Sequence, residues 1–134
     1  MIYTSCTVTC PLIVADLKRI EAAVPAGRRD DVGFVLVSLD PGRDTPGRLA
    51  EWAARTGLNP ARWTLLSGSD ASVRELAASL DVRYQMQPSG EFAHTNGLTV
   101  LDRAGSIAHQ QAGLGDTDAS IRSVQSLLRQ DSSP

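Results

Sequence analysis

The sequence predicts an α/β domain in which helices alternate with short strands, and three observations carry that prediction. Leu12, Ile13, Leu17, Ile20 and Val24 recur at helical spacing. Val32–Leu39 is a nearly continuous apolar run, the pattern of a strand buried on both faces of a parallel sheet. Leu98–Leu101 and Ser106–His109 flank the turn Asp102-Arg103-Ala104-Gly105 and read as a hairpin.

Each element follows from local chemistry. Pro11 suits the first turn of the opening helix, and Pro25-Ala26-Gly27 stops it. After the buried strand, Asp40–Pro46 is a polar loop in which Thr45 can cap the next helix and Pro46 can take its first position. Leu49, Trp52 and Ala53 line one face of that helix, which ends near Thr56-Gly57. Trp63–Leu66 reads as a short strand, Asp70–Leu80 as an amphipathic helix, Val82–Tyr84 as extended and Gln87–Gly90 as a loop. The hairpin follows, then a closing helix over Asp118–Leu128 and a frayed tail over 130–134. Strand, helix, strand, hairpin and last helix is the thioredoxin arrangement: a central mixed sheet flanked by helices, as one domain over 1–129. With so few residues before Cys6, the first strand is expected to be truncated.

Composition excludes several function classes. The 134 residues, 42% of them apolar, suffice for one buried core. A net charge of −2, with 13 basic and 15 acidic residues spread along the chain, offers no footprint for nucleic acid or anionic membrane. Aromatic residues make up 4%, too few for a base-stacking or carbohydrate platform. No run approaches the roughly 20 apolar residues of a membrane span, and no basic-then-apolar leader opens the chain.

Both cysteines lie in Thr4-Ser5-Cys6-Thr7-Val8-Thr9-Cys10-Pro11-Leu12, where the first strand should meet the first helix. A structural disulfide, a redox dithiol and a pair of soft metal ligands all fit that pair. A bridge would close a very small loop and would be a weak staple, below the ~3 kcal/mol of a 15-residue loop. A thiol at a helix entrance has its thiolate stabilised by the dipole and by unpaired N–H groups. Redox members of this fold place two residues between the cysteines and a cis-proline before the facing strand. Here three residues intervene, and His94-Thr95-Asn96-Gly97 stands where the proline would be. Two thiolates and an imidazole suit copper, since thiolate favours Cu(I) and imidazole accepts either oxidation state. Zinc fits less well, because no fourth ligand stands beside them in the sequence.

Cys6-Thr7-Val8-Thr9-Cys10-Pro11, then Ser38-Leu39-Asp40-Pro41-Gly42-Arg43-Asp44-Thr45-Pro46, then His94 before an apolar strand, resembles the Sco (SenC-like) family. That resemblance implies a copper metallochaperone, rather than an enzyme, for the dinuclear copper centre of cytochrome c oxidase, with Cys6, Cys10 and His94 as ligands for Cu(I) or Cu(II). It implies the oxidase copper-site subunit as partner, with a copper donor protein and a thiol reductant beside it. It also implies a periplasmic or outward-facing, membrane-anchored location, although the chain carries no signal or anchor of its own. The alternative within the same family is a thiol-disulfide oxidoreductase using Cys6 and Cys10 on the oxidase cysteines or another exported protein.

Other residues receive plainer readings. His109, the only alternative imidazole, shares a strand face with Ile107 and Gln111 and reads as a partly exposed sheet residue. Asp40 and Asp44 follow the C-terminal end of the buried strand, where α/β folds place their sites. Turn and cap chemistry accounts for both, and Asp40 is also a candidate to support an imidazole or thiol from behind. Trp52 and Trp63 read as packing residues, Met86 as isolated, and Arg28-Arg29-Asp30-Asp31 as a solvated turn.

Overall fold

The chain between the cysteines and the first strand is helical because its apolar residues repeat on one side. Helix α1 runs over Thr9–Ala23, so Cys10 and Pro11 lie in its first turn. The structure, a computed structural model, describes residues 1–131. They form two compact units: Met1–Cys10 with Gly33–Thr95, and Pro11–Val32 with the chain from Asn96 onward. Helix α1 begins in the first and continues into the second.

The first unit is built on a parallel pair, β1 (Phe34–Val37) with β2 (Trp63–Leu66). Phe34 stacks on its partner Trp63 with ring centroids 4.7 Å apart, and Leu36 is buried beside them. Val35 points the other way and is 57% exposed, which corrects the expectation of a strand buried on both faces. An apolar run identifies a strand, but its composition does not say which alternate side chains are covered. Upstream of the cysteines, pairing is a single parallel bridge: Ile2 N–H donates to Val37 O at 2.9 Å, and Leu39 N–H donates to Ile2 O at 2.8 Å.

Between the parallel strands, α2 (Pro46–Thr56) starts as its sequence dictates. Thr45 Oγ1 accepts from Arg48 N–H at 3.3 Å, and Pro46 needs no partner for a donor it lacks. Gly57, at φ 69°, closes the helix in the left-handed region where a side chain would be strained. Leu49 and Trp52 are its buried residues. Helix α3 (Asp70–Ser79), capped by Ser69, buries Val73 and Ala77. The unit ends in an antiparallel pair, β3 (Tyr84–Met86) with β4 (Phe92–His94), joined through Gln87–Gly90. Strand β4 is absent from the sequence expectation, which gave Glu91–His94 no element.

In the second unit, β5 (Gly97–Leu101) and β6 (Ile107–Ala112) form the expected antiparallel hairpin, with a register shift between Val100 and Leu101. A Cβ on Gly97 would stand 2.4 Å from Gln111 O, so the strands approach there only because glycine has none. The solvated turn read from Arg28–Asp31 is the end of a 3₁₀ turn over Ala26–Asp31 with no buried residue, and Arg28 and Asp31 pair within it. Helix α4 (Asp118–Gln130) takes in Gln130, which the sequence assigned to a frayed tail; 132–134 lie outside the described residues. Buried Asp16 accepts from Gly115 N–H at 2.7 Å and from Arg19 at 3.1 Å. The predicted mixture of parallel and antiparallel pairing is thus present, divided among three two-stranded sheets among the described residues.

Candidate functional site

Residues Tyr3 to Cys6 form a turn, with Cys6 N–H donating to Tyr3 O at 3.1 Å. What fixes that turn is Asp44, a carboxylate 1% exposed. It accepts from Thr4 N–H at 3.0 Å, from Thr4 Oγ1 at 2.5 Å and from Ser38 Oγ at 2.6 Å. Arg48 Nε stands 3.8 Å from the carboxylate and donates to Thr4 Oγ1 at 2.9 Å. A buried carboxylate is tolerable only when its oxygens are satisfied in this way. The loop Asp40–Pro46 therefore anchors the thiol segment as well as capping α2.

Both cysteines are buried free thiols, Cys6 at 9% exposure and Cys10 at 0%. Cys10 N–H donates to Cys6 Sγ at 3.3 Å, the first helical turn turning its unpaired donors on the sulfur. Burial pushes the Cys6 thiol up. Hydrogen bonds from the backbone and thiol of Cys10, and from Val8 and Thr9 N–H, more than offset that and hold it below the ordinary thiol value. Cys10 goes the other way, pushed up to about 12, chiefly by burial and further by the neighbouring Cys6 sulfur. Cys6 therefore gives up its proton more readily than Cys10.

His94 closes β4 opposite Tyr84. Its Nδ1 lies 3.1 Å from Thr95 O. A carbonyl oxygen only accepts, so Nδ1 carries the proton and Nε2 keeps its lone pair. Burial lowers the imidazole pKa and favours that neutral form. The chemistry of this donor set, two cysteine sulfurs and an Nε2 lone pair, fits copper. As they stand, no three His, Cys, Asp or Glu side chains among the described residues are grouped closely enough to hold a metal ion.

Asp40 is buried at 5% exposure, and its carboxylate is taken by Arg43, not by a thiol or the imidazole. Arg43 also donates to Gly90 O at 2.6 Å, so Asp40 bears on the site through the β3–β4 loop. His109 lies in the other unit, half-buried opposite Val100, with Nε2 unpartnered. Trp52 and Trp63 are buried packing residues as expected, and Met86 is 56% exposed.

The sequence reading missed Tyr3. Its carbonyl oxygen accepts from Cys6 N–H at 3.1 Å, and its hydroxyl oxygen accepts from Phe92 N–H at 3.4 Å. Its ring meets Phe92 at 5.1 Å and His94 at 6.0 Å between centroids, both edge to face. Burial raises its phenol pKa, so it stays a donor at neutral pH. A lone aromatic residue three places before the first thiol was the available signal.

A buried thiol pair split in proton affinity at the entrance of the first helix, with a histidine-bearing strand in the same unit, defines a thioredoxin-like dithiol domain. The chain belongs to the SCO1/SenC family, whose sequence model it matches over residues 1–129. It is 27% identical over 119 residues to the SCO1 protein homolog of Bacillus subtilis (strain 168), covering 87% of this chain and 61% of that one. In fold it is similar to a SCO1/SenC family lipoprotein from Bacillus anthracis, with TM-score 0.82, 22% identity, and 94% of this chain and 77% of that one covered. It is also similar to Arabidopsis thaliana ScoI with copper bound, with TM-score 0.80, 23% identity, and 96% and 80% covered. The chain spans 52% to 61% of the length of the curated relatives it matches. No helix among the described residues is long and apolar enough to cross a membrane.

Proposed function

We propose that this protein is a copper metallochaperone that takes copper as cargo on Cys6, Cys10 and His94 and passes it to the copper-site subunit of cytochrome c oxidase. The observation that carries the reading is the tautomer of His94: a neutral imidazole, proton fixed on Nδ1, offers Nε2 in the same unit as a thiol pair. Disulfide exchange needs no such group. Family membership and the copper-bound relative support the metal, and the lipoprotein relative supports an exported, anchored setting. We assign residues 1–129 to one thioredoxin-like domain on the span of the family match.

In this reading Cys6 binds first, as the sulfur that holds its proton less tightly than Cys10. Cys10 gives up its proton as it ligates, because the metal replaces the proton as the positive partner of the sulfur. Asp40 acts through Arg43, which ties the loop of the His94 hairpin. The test is competition for Cu(I) between a chelator and the reduced protein. One copper ion should be retained, and Cys6→Ser or Cys10→Ser should lower affinity by more than the roughly 10-fold to 100-fold that loss of a supporting group costs. Unchanged affinity in either variant overturns the ligand set.

The split between the thiols favours a second reading, thiol-disulfide exchange on an exported partner. Cys6 thiolate would attack a partner disulfide and release one partner thiolate. Cys10, losing its proton, would then attack the Cys6 sulfur and release the second, leaving Cys6–Cys10 oxidised by two electrons. A thiol reductant would restore it. Retained exchange with no copper retention would select this reading.

A further inference from the structure

The three candidate ligands differ in their access to solvent. Cys6 and Cys10 are buried, so an arriving ion finds almost no sulfur surface there. His94 instead closes a hairpin whose side chains are half-buried or exposed, and one of them is the thioether of Met86, 56% exposed.

The ladder puts Met86 on the face of His94. Gln87 N–H donates to Glu91 O at 2.7 Å, and Thr95 N–H donates to Arg83 O at 2.8 Å. Tyr84 opposite His94 and Met86 opposite Phe92 fall at the alternate positions between those bonds, where facing side chains come closest. Residues two apart on a strand share a face, so Tyr84, Met86, Phe92 and His94 line one side of the hairpin. The Tyr84 and Phe92 rings meet along one diagonal of that face, 6.1 Å apart between centroids. Met86 and His94 form the other diagonal, with Cβ atoms roughly 7 Å apart, within reach of a long side chain and a ring. The two donors match in chemistry. A thioether is soft, selects Cu(I) and has no proton to lose. Nε2 of His94 keeps its lone pair, because Nδ1 lies 3.1 Å from Thr95 O.

We propose that Met86 and His94 form an entry site that receives Cu(I) at the surface ahead of Cys6. This rests on the copper reading above. Both donors are neutral, so the cation is held there less tightly than by two thiolates of opposite charge. Passage inward is therefore downhill. Bonds from copper to Cys6 Sγ and then Cys10 Sγ form, the bond to Met86 Sδ breaks, and the two thiol protons pass to water. His94 Nε2 stays bound, and the metal remains Cu(I) throughout.

The test supplies Cu(I) from a chelator complex without oxygen. In Cys6→Ser/Cys10→Ser protein, with circular dichroism to check the fold, Cu(I) should move the ε-methyl resonance of Met86 and the ring resonances of His94. The methyl of Met1, the other methionine, should stay where it was. Met86→Leu should weaken that residual binding by at least about 10-fold. With both thiols intact, the same change should slow Cu(I) uptake in stopped flow by a similar factor, whereas a merely structural Met86 would leave the rate as it was. Should the double variant lose its fold, the uptake rate decides by itself. An unmoved Met86 methyl, or uptake unaltered by Met86→Leu, overturns the entry site alone when the unaltered protein retains copper. No copper retention by the unaltered protein overturns the copper reading, and the entry site with it.

Discussion

The two halves of the site are held by different means. The thiol turn is pinned from beneath by a buried carboxylate, and its Cys6 sulfur accepts from Cys10 N–H in the first turn of α1. The imidazole half rides on three-residue strands, paired over Tyr84–His94 to Met86–Phe92 and half-buried or exposed along their length. Arg43 on Gly90 O and the Tyr3 ring on Phe92 tether it to the rest of the unit. Segments with few buried contacts open at lower free-energy cost than a packed turn. Of the three proposed ligands, two stand on the anchored turn and the third on the part of the unit that yields.

The largest effect should come from breaking the fixed half. Asp44→Ala leaves Ser38 Oγ without its acceptor in a buried place, and Thr4 N–H and Oγ1 without theirs in a half-buried one. Each orphaned donor costs on the order of 1 to 3 kcal/mol, so a loss of about 3 kcal/mol or more is expected in chemical denaturation. Cys6 should also lose its distinction from Cys10 in alkylation. A loss under about 1 kcal/mol would show that the thiol turn does not depend on this carboxylate.

His94→Ala attacks the yielding half. Copper affinity should fall by at least about 10-fold to 100-fold, while disulfide exchange by Cys6 and Cys10 continues at its former rate. Loss of exchange with copper affinity intact would invert the roles assigned to the two halves.

The pH dependence sharpens the comparison within the thiol pair. Cys6 should be alkylated with a midpoint below the ordinary thiol value, and Cys10 should resist until about pH 12. The linkage signs differ. Cys10 holds its proton longer folded than unfolded, so its contribution to stability is full below the unfolded thiol value of ~8.5 and lost as pH rises towards 12. Cys6 is depressed on folding; its contribution is full above the unfolded value and lost as pH falls through the folded one. Denaturation midpoints of Cys10→Ser against the parent protein, followed from pH 8 to 11, should converge. Parallel curves would count against the raised Cys10.

The smallest effect belongs to Arg43→Ala. The arginine side chain is 44% exposed, so its ion pair with Asp40 contributes under ~1 kcal/mol to global stability. Amide exchange in Phe92–His94 should nonetheless quicken, since the loop at Gly90 loses its tether. Unaltered exchange there would mean that the Tyr3 contact alone holds the hairpin.

Much of the fixed half was legible in the sequence. Strand β2 falls on Trp63–Leu66 as read, the Thr45 cap and Pro46 start α2, and the thiols stand at the entrance of α1. These are local effects, set by a capping hydroxyl, a proline ring and an apolar period. The yielding half was less legible. Glu91-Phe92-Ala93-His94 is too short to show an alternation, and β4 is defined by a partner that begins at Tyr84, where the extended stretch read from the sequence ends. Asp44 and Asp40 looked alike as turn residues, yet one carries the thiol turn and the other serves Arg43. That difference depends on Thr4 and Ser38 arriving at the same carboxylate. Tyr3 was unread because its place three residues before Cys6 does not announce that its ring meets Phe92 and His94.

The hydrogen bonds from Thr4 to Asp44 join residues 40 positions apart. Until the chain has been made past Asp44 and that loop has closed, Cys6 and Cys10 are two ordinary thiols on an unanchored segment, neither acidified nor shielded. Closing a loop of that length precedes any reward from the contacts it brings. The unequal reactivity of the two sulfurs is therefore acquired late. During synthesis, and again whenever the anchor opens, the site passes through a state in which indiscriminate oxidation competes with its assembly.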